Sequence, residues 1–505
     1  MRFIVTVMIS LVLASCGKDE PRALQPPASV VAVEDIGAVT VQWSPVAGAT
    51  SYNVRYSTDP NLDSFSSVQT DSSVTSATIS YLTNVPYYFA VTVTYGDRNS
   101  APSKIVSVTP LRVSQVIGGN HVDSATGVTN DSSGNILITG SSSSYPFDGT
   151  YAAGGKFAFV TKRTPRGDRL WTTTVGREIT SALAISTGPA DEVYITGYTS
   201  ADLDGVHIGW SDLFIAKLDA EGNLKWLHQL GVTGASTQGM GISVDGAGNA
   251  YVTGTTSGDL LGIIRAGNTD MFVAKYARNG ERQWVRLYGS SGSIVSGQHI
   301  AVTSAGFAVT GSTSGFFYGE RNSISPIYVM MCDIDGNRIW SHTIGTGLTT
   351  EVAGVAVAAN GDLYVAGYTN GSFMATPKNG QNDTFLSKFR ADGTYRWTVT
   401  SGVAGRYKNA SGITISTLGD IFVTGTLTNS QGLNNMFLDR YSLEGEKIWS
   451  VVRAPDSTVA ISGITASLGH VYVTGILYSQ LFENNQGIGY DDVILAGFNS
   501  DYGCY

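Results

Sequence analysis

Charge is scarce in this chain. Asp, Glu, Lys and Arg make up 14% of its 505 residues, and the formal net charge is −9. A nucleic-acid partner would want a basic face, so this balance argues against one. Cysteine is nearly absent: only Cys16, Cys332 and Cys504 occur. Cys332 and Cys504 fall in distant parts of the chain, so no disulfide is expected, and Cys332 reads as a small apolar core residue. The six histidines show no ligand spacing. No G-x-S-x-G nucleophile motif is present, since Gly311 to Gly315 places Thr313 at its centre. No stretch keeps a helical period. The longest N-terminal apolar run, residues 3–13, is too short to span a bilayer and fits a secretory signal. No catalytic residue, metal site or cofactor is expected.

What the chain does have is glycine, 60 residues of it, and a repeat. Residues 241–289 read as four strands, because Val, Tyr, Phe and Trp alternate with polar residues. Asn279-Gly280 marks a hairpin turn between the last two strands. The glycine that closes the second strand recurs as Gly140, Gly197, Gly254, Gly311, Gly367, Gly425 and Gly475. The fourth strand carries Trp171, Trp226, Trp284, Trp340, Trp397 and Trp449, each four residues after a turn glycine. These tryptophans are expected to be structural, at the margins of the sheets. A fixed period with four strands per copy predicts a β-propeller.

Seven glycines and six tryptophans mean that one copy is split. The seventh copy stops after its third strand. Residues 112–118 supply the missing one, with Val113, Ile117 and Gly118 where other copies have Trp, an apolar residue and Gly. The expected fold is all-β: a β-sandwich followed by a seven-bladed β-propeller whose last blade takes its outer strand from the N-terminal segment. The pattern resembles the SBBP family of β-propeller repeats over residues 111–505. That resemblance implies the fold and no single activity. The Gly-to-Trp spacing of four is also similar to PQQ-like repeats, found in quinoprotein dehydrogenases and in an outer-membrane-assembly lipoprotein. The competing expectation is a propeller enzyme, quinoprotein-like or glycan-active, or an envelope-assembly factor similar to the PQQ-like repeat lipoproteins.

Leu13-Ala14-Ser15-Cys16 resembles a bacterial lipobox. The resemblance implies a signal peptide over 1–15, acylation of Cys16, a tether over 16–25 and, with Gly17 after the cysteine, an outer-membrane address. Acyl chains anchor at about 0.8 kcal/mol per buried CH₂. Residues 26–110 resemble a fibronectin type III domain, which implies Trp43 as its core tryptophan and Leu82 with Tyr88 as its tyrosine corner.

The connections between second and third strands are long in six of the seven copies and variable, while the turns at the opposite ends are short. Long loops on a rigid scaffold are where binding is placed. The aromatics expected to be exposed there are Tyr145, Tyr151, Trp210, Phe316, Phe317, Tyr318 and Tyr490. Phe147, Tyr198, Tyr368, Phe373, Tyr478 and Phe482 lie in the same loops. Asp212, Asp270, Asp383 and Asp492 precede third strands and read as turn or cap residues. Asp333-Ile-Asp335-Gly-Asn337 resembles the start of a calcium loop but lacks its distal Glu. The expected function is a lipid-anchored, non-enzymatic binding scaffold for a protein or carbohydrate of the cell envelope.

Overall fold

The computed structural model describes residues 24–501, except 84, 152–154, 206, 319–325, 346–348, 374–375, 454–457, 479–480, 483–484 and 487–489. Cys16, Cys504 and the side chain of Phe482 lie outside the described residues. The chain divides into two compact units, Met1–Pro110 and Leu111–Tyr505.

The first unit is built of two sheets. One holds Val30–Asp35, Ala38–Trp43 and Ser76–Ser80; the other is centred on Ser51–Ser57 and Tyr87–Tyr95. Alternating apolar residues of both face one core that includes Val39, Val41, Trp43, Tyr52, Leu82, Phe89 and Val91. Tyr88 is half-buried; the Tyr52 hydroxyl accepts the Val46 N–H at 2.8 Å, and the Tyr95 hydroxyl donates to the Gln25 carbonyl at 3.1 Å.

The second unit repeats one antiparallel pattern. Its clearest copy is Thr237–Val244, Ala250–Thr256, Asp270–Tyr276 and Arg282–Tyr288, hydrogen-bonded in that order. Second and third strands are buried almost throughout, whereas the fourth begins exposed and ends buried. The sheet led by Val459–Ser467 is completed by Ser114–Ile117, with Val493 opposite Ile117 and Ala496 opposite Ser114.

Every first strand carries a β-bulge at the same height, at Thr126, Leu183, Met240, Gln298, Ala353, Ser411 and Ser462. The bulge drives the carbonyl two positions earlier onto the second strand. A Cβ on Gly254 would lie 1.8 Å from the Gln238 oxygen, and one on Gly140 1.9 Å from that of Ser124. That collision is why the glycine recurs in all seven copies.

Tryptophan and turn glycine prove to be two halves of one contact. The Trp171 indole lies over Gly222 of the next sheet, Trp226 over Gly280, Trp340 over Gly393 and Trp397 over Gly445. Trp171 Nε1 donates to the Ala220 carbonyl at 3.1 Å, and Trp340 Nε1 to that of Ala391 at 3.0 Å. The glycine has positive φ, 85° at Gly222, so it suits the hairpin and leaves room for the ring. The tryptophans are half-buried between adjacent sheets.

Sheet follows sheet until the last meets the first. Tyr472 of the last sheet donates to the Pro165 carbonyl of the first at 3.0 Å, and Gly463 packs against Val128. All seven first strands line one cavity of about 240 Å³.

Candidate functional site

The long loops are held from below by aspartate. Asp212 accepts the N–H groups of Ile208 and Gly209, both at 2.8 Å, and the Gln229 amide at 2.8 Å. Asp270 does the same for Ala266 at 2.7 Å and Gly267 at 2.8 Å. Asp383 takes Asn379 at 2.7 Å and Gly380 at 2.6 Å. These carboxylates are buried, and charge-assisted bonds to backbone N–H are the stronger kind. The carboxylate also explains the glycine after each fourth strand. A Cβ on Gly231, Gly289, Gly402 or Gly118 would fall within 2.2 Å of the aspartate of its own sheet. Asp and Gly are thus one loop-closing device.

Parallel bridges join Ser211 to Ser236, Thr269 to Ile294, Asn382 to Tyr407 and Asp491 to Val122. Each places the end of a long loop beside the entry to the following first strand, so both connections share a face. On it Trp210 is 72% exposed and Tyr490 79% exposed. Tyr145 and Tyr151 are exposed and meet edge to face, with centroids 5.1 Å apart. Their loop is fixed by Asp148. Its carboxylate takes Arg163 at 2.7 Å, Thr161 at 2.9 Å and Thr172 at 2.6 Å.

Phe317 is a correction: it is 1% exposed and packs at a tilt against Tyr328, with centroids 4.6 Å apart. Phe147 and Phe373 are buried too. The reason is positional. Phe317 and Phe373 lie six residues past the glycines Gly311 and Gly367, and Phe147 seven past Gly140; Leu260, six past Gly254, fills the same place. Each plugs the base of its loop and covers the sheet below. That offset was the available signal. Tyr198 and Tyr368 are corrected as well: they belong to Val193–Thr199 and Leu363–Thr369 and are half-buried. Phe316 and Tyr318 flank the plug and are exposed, with the Arg338 guanidinium 4.2 Å over the Tyr318 ring.

The structure joins the loops of Tyr490, Tyr145/Tyr151 and Trp210. The Asp491–Val122 bridge links last sheet to first, and Gly155–Lys156 pairs with Glu178–Ile179 between first and second. Phe316 and Tyr318 stand apart, two sheets further on. Ile264 and Tyr407, outside the set of long-loop aromatics, are exposed on this face as well. Ile264 is aliphatic and Tyr407 lies in a short connection.

The opposite face uses its carboxylates internally. Asp333 Oδ1 accepts the N–H of Asp335 at 3.0 Å and of Asn337 at 2.8 Å; Oδ2 accepts the Asn337 amide at 2.8 Å. Asp131, Asp219 and Asp245 repeat this turn. It is a hairpin device. Burial pushes the Cys332 thiol up to about 12, with the Tyr288 hydroxyl 3.9 Å away, so it stays protonated.

With this geometry in place, the SBBP β-propeller repeat family matches at residues 113–148 and 225–262. The chain is a β-propeller repeat protein. No curated protein matches it in sequence. Among solved structures, the chain is similar to an ulvan polysaccharide lyase, at 9% identity and TM-score 0.45, over 76% of this chain and 95% of that one. It is also similar to a putative 6-phosphogluconolactonase from Bacteroides uniformis, at 10% identity and TM-score 0.40, over 80% and 97%. The human contactin 1 fn3 domain matches 17% of this chain, over 77% of its own, at 21% identity and TM-score 0.16.

Proposed function

We propose that this protein is an envelope lipoprotein whose propeller binds a protein or carbohydrate through its long-loop face, without catalysis. The reading takes the propeller as seven-bladed, closed by Ser114–Ile117, and the first unit as a fibronectin type III-like spacer. The match of strand order between that sheet and the other copies supports closure. Acylation at Cys16 would hold the protein at the bacterial outer membrane. Replacing Cys16 with alanine is expected to release it from the membrane fraction with both units folded; persistence there would refute the anchor.

Trp210 carries the binding reading. Its indole is solvent-exposed, yet its backbone is pinned: its N–H donates to the Ala235 carbonyl at 2.8 Å, and Asp212 holds the two preceding residues. A rigid, exposed aromatic is a low-entropy anchor for a partner. Trp210→Ala is expected to weaken binding of envelope protein or glycan to the immobilised protein by about 1–2 kcal/mol. Unchanged affinity, with the fold intact, would rule out this face as the contact.

A further inference from the structure

The four parallel bridges between sheets act as internal controls for one another. After each bridge, the loop-holding aspartate follows on one side and the start of the next first strand on the other. Asp212 is thereby set beside Thr237, Asp270 beside Val295 and Asp383 beside Lys408. Of the four, only the bridge from last sheet to first sets a carboxylate beside a carboxylate, Asp492 beside Asp123.

Both residues are closed to solvent. A Cβ on Gly118 would lie 2.2 Å from Asp492 Oδ1 and 2.8 Å from Asp123 Oδ2, so the two oxygens are no further apart than those distances together. Two buried negative charges this close repel strongly, and protonating one of them relieves the pair.

The partners of Asp123 do not neutralise it. Its Oδ2 accepts the Gly119 N–H at 2.7 Å and the Ser144 hydroxyl at 2.9 Å, and its Oδ1 accepts the Ser142 hydroxyl. The strands Val459–Ser467, Ser114–Ile117 and Ile136–Ser142, which surround it, hold no ionisable side chain. His470 opposes Asn499, at the far end of its strand from Asp492. Glu178 of the second sheet and His121 are exposed, and Asp491 is partly exposed. Asp148, whose N–H donates to the Gly118 carbonyl at 3.3 Å, gives its carboxylate to Arg163. Burial, with the Asp492 charge beside it, pushes the Asp123 carboxyl up to about 6, although its hydrogen bonds pull the other way. A carboxyl that binds its proton more tightly folded than unfolded favours the fold in acid. That stabilisation is lost as pH rises through about 6.

We propose that Asp123 and Asp492 form a proton-dependent latch between the last sheet and the first, closed while the pair holds one proton and loosened when both carboxylates are charged. The junction it governs includes the Asp123 N–H bond to the Asp491 carbonyl, 2.8 Å long, beside the loops of Tyr490 and Tyr145. The latch is independent of whether the long-loop face binds a partner, so either can fail alone.

The test uses the full chain and two variants, Asp123→Asn and Asp123→Thr, in buffers of constant ionic strength with EDTA. Threonine is the residue of the second, third and fifth copies at this position, as Thr180, Thr237 and Thr350. Between pH 5 and pH 7.5 the melting temperature of the parent is expected to fall by about 2–4 °C relative to Asp123→Asn. At pH 7.5 the Asn variant should melt above the parent, because it removes one of two like charges and keeps the shape. Amide exchange over residues 119–124, divided by the intrinsic rate at each pH, should be faster in the parent than in the variant at pH 7.5 and equal at pH 5. If Asp123→Asn does not fold, Asp123→Thr serves the same comparison. Parallel pH profiles for parent and folded variants, or a parent that melts highest at pH 7.5, would overturn the proposal.

Discussion

A chain beginning at Leu111 is expected to fold with the melting temperature of the intact propeller, while one beginning at Gly119 is expected to melt far lower and aggregate. The difference is the strand Ser114–Ile117. It pairs with Asp492–Asn499 and buries Val113 and Ile117 almost completely. Full burial of such side chains is worth ~1.5–3 kcal/mol each, so their loss removes about 3–6 kcal/mol. It also exposes a buried third strand as a free edge, which templates aggregation. Val113 occupies the tryptophan position, its carbonyl accepting the Gly497 N–H at 2.8 Å. Calorimetry and light scattering on both chains read the outcome. Equal melting and solubility would mean that the strand is dispensable and the ring is closed some other way.

The second large effect is expected at Asp212. Asp212→Ala strips the acceptor from two backbone N–H groups and from Gln229 Nε2 at the base of the Trp210 loop. Buried bonds to a charged acceptor are worth ~1.5–3 kcal/mol each, and the exposed end of this loop lets water replace part of them, leaving a cost of about 3 kcal/mol. Asp212→Asn keeps one oxygen and the shape, and is expected to cost less. Because the same carboxylate fixes the backbone before Trp210, the alanine change should also weaken partner binding as much as Trp210→Ala does. Thermal melts and affinities of the three variants check this. Full stability in Asp212→Ala would show that the loop is held by other contacts.

Much of this fold is legible in the sequence because its constraints are steric and repeat. The strand-closing glycine faces a bulge carbonyl, and the turn glycine faces the previous sheet's tryptophan, so neither tolerates a Cβ. Residue types pinned by collision survive in every copy and show as a period. The loop face was harder to read. Phe317 and Phe316 are adjacent and chemically identical, yet one plugs the loop base and the other faces solvent. Composition cannot separate them; the offset from Gly311 can.

The most direct measurement of the central claim, that the long-loop face is the contact surface, is a hydrogen-exchange footprint of the protein with its bound partner. Protection is expected in residues 141–151, 200–213 and 490–491, where Tyr145, Tyr151, Trp210 and Tyr490 are joined by backbone pairing. The turns at 219–223 and 333–337 should exchange as in the free protein. Protection confined to those turns, with the long loops unchanged, would contradict the account.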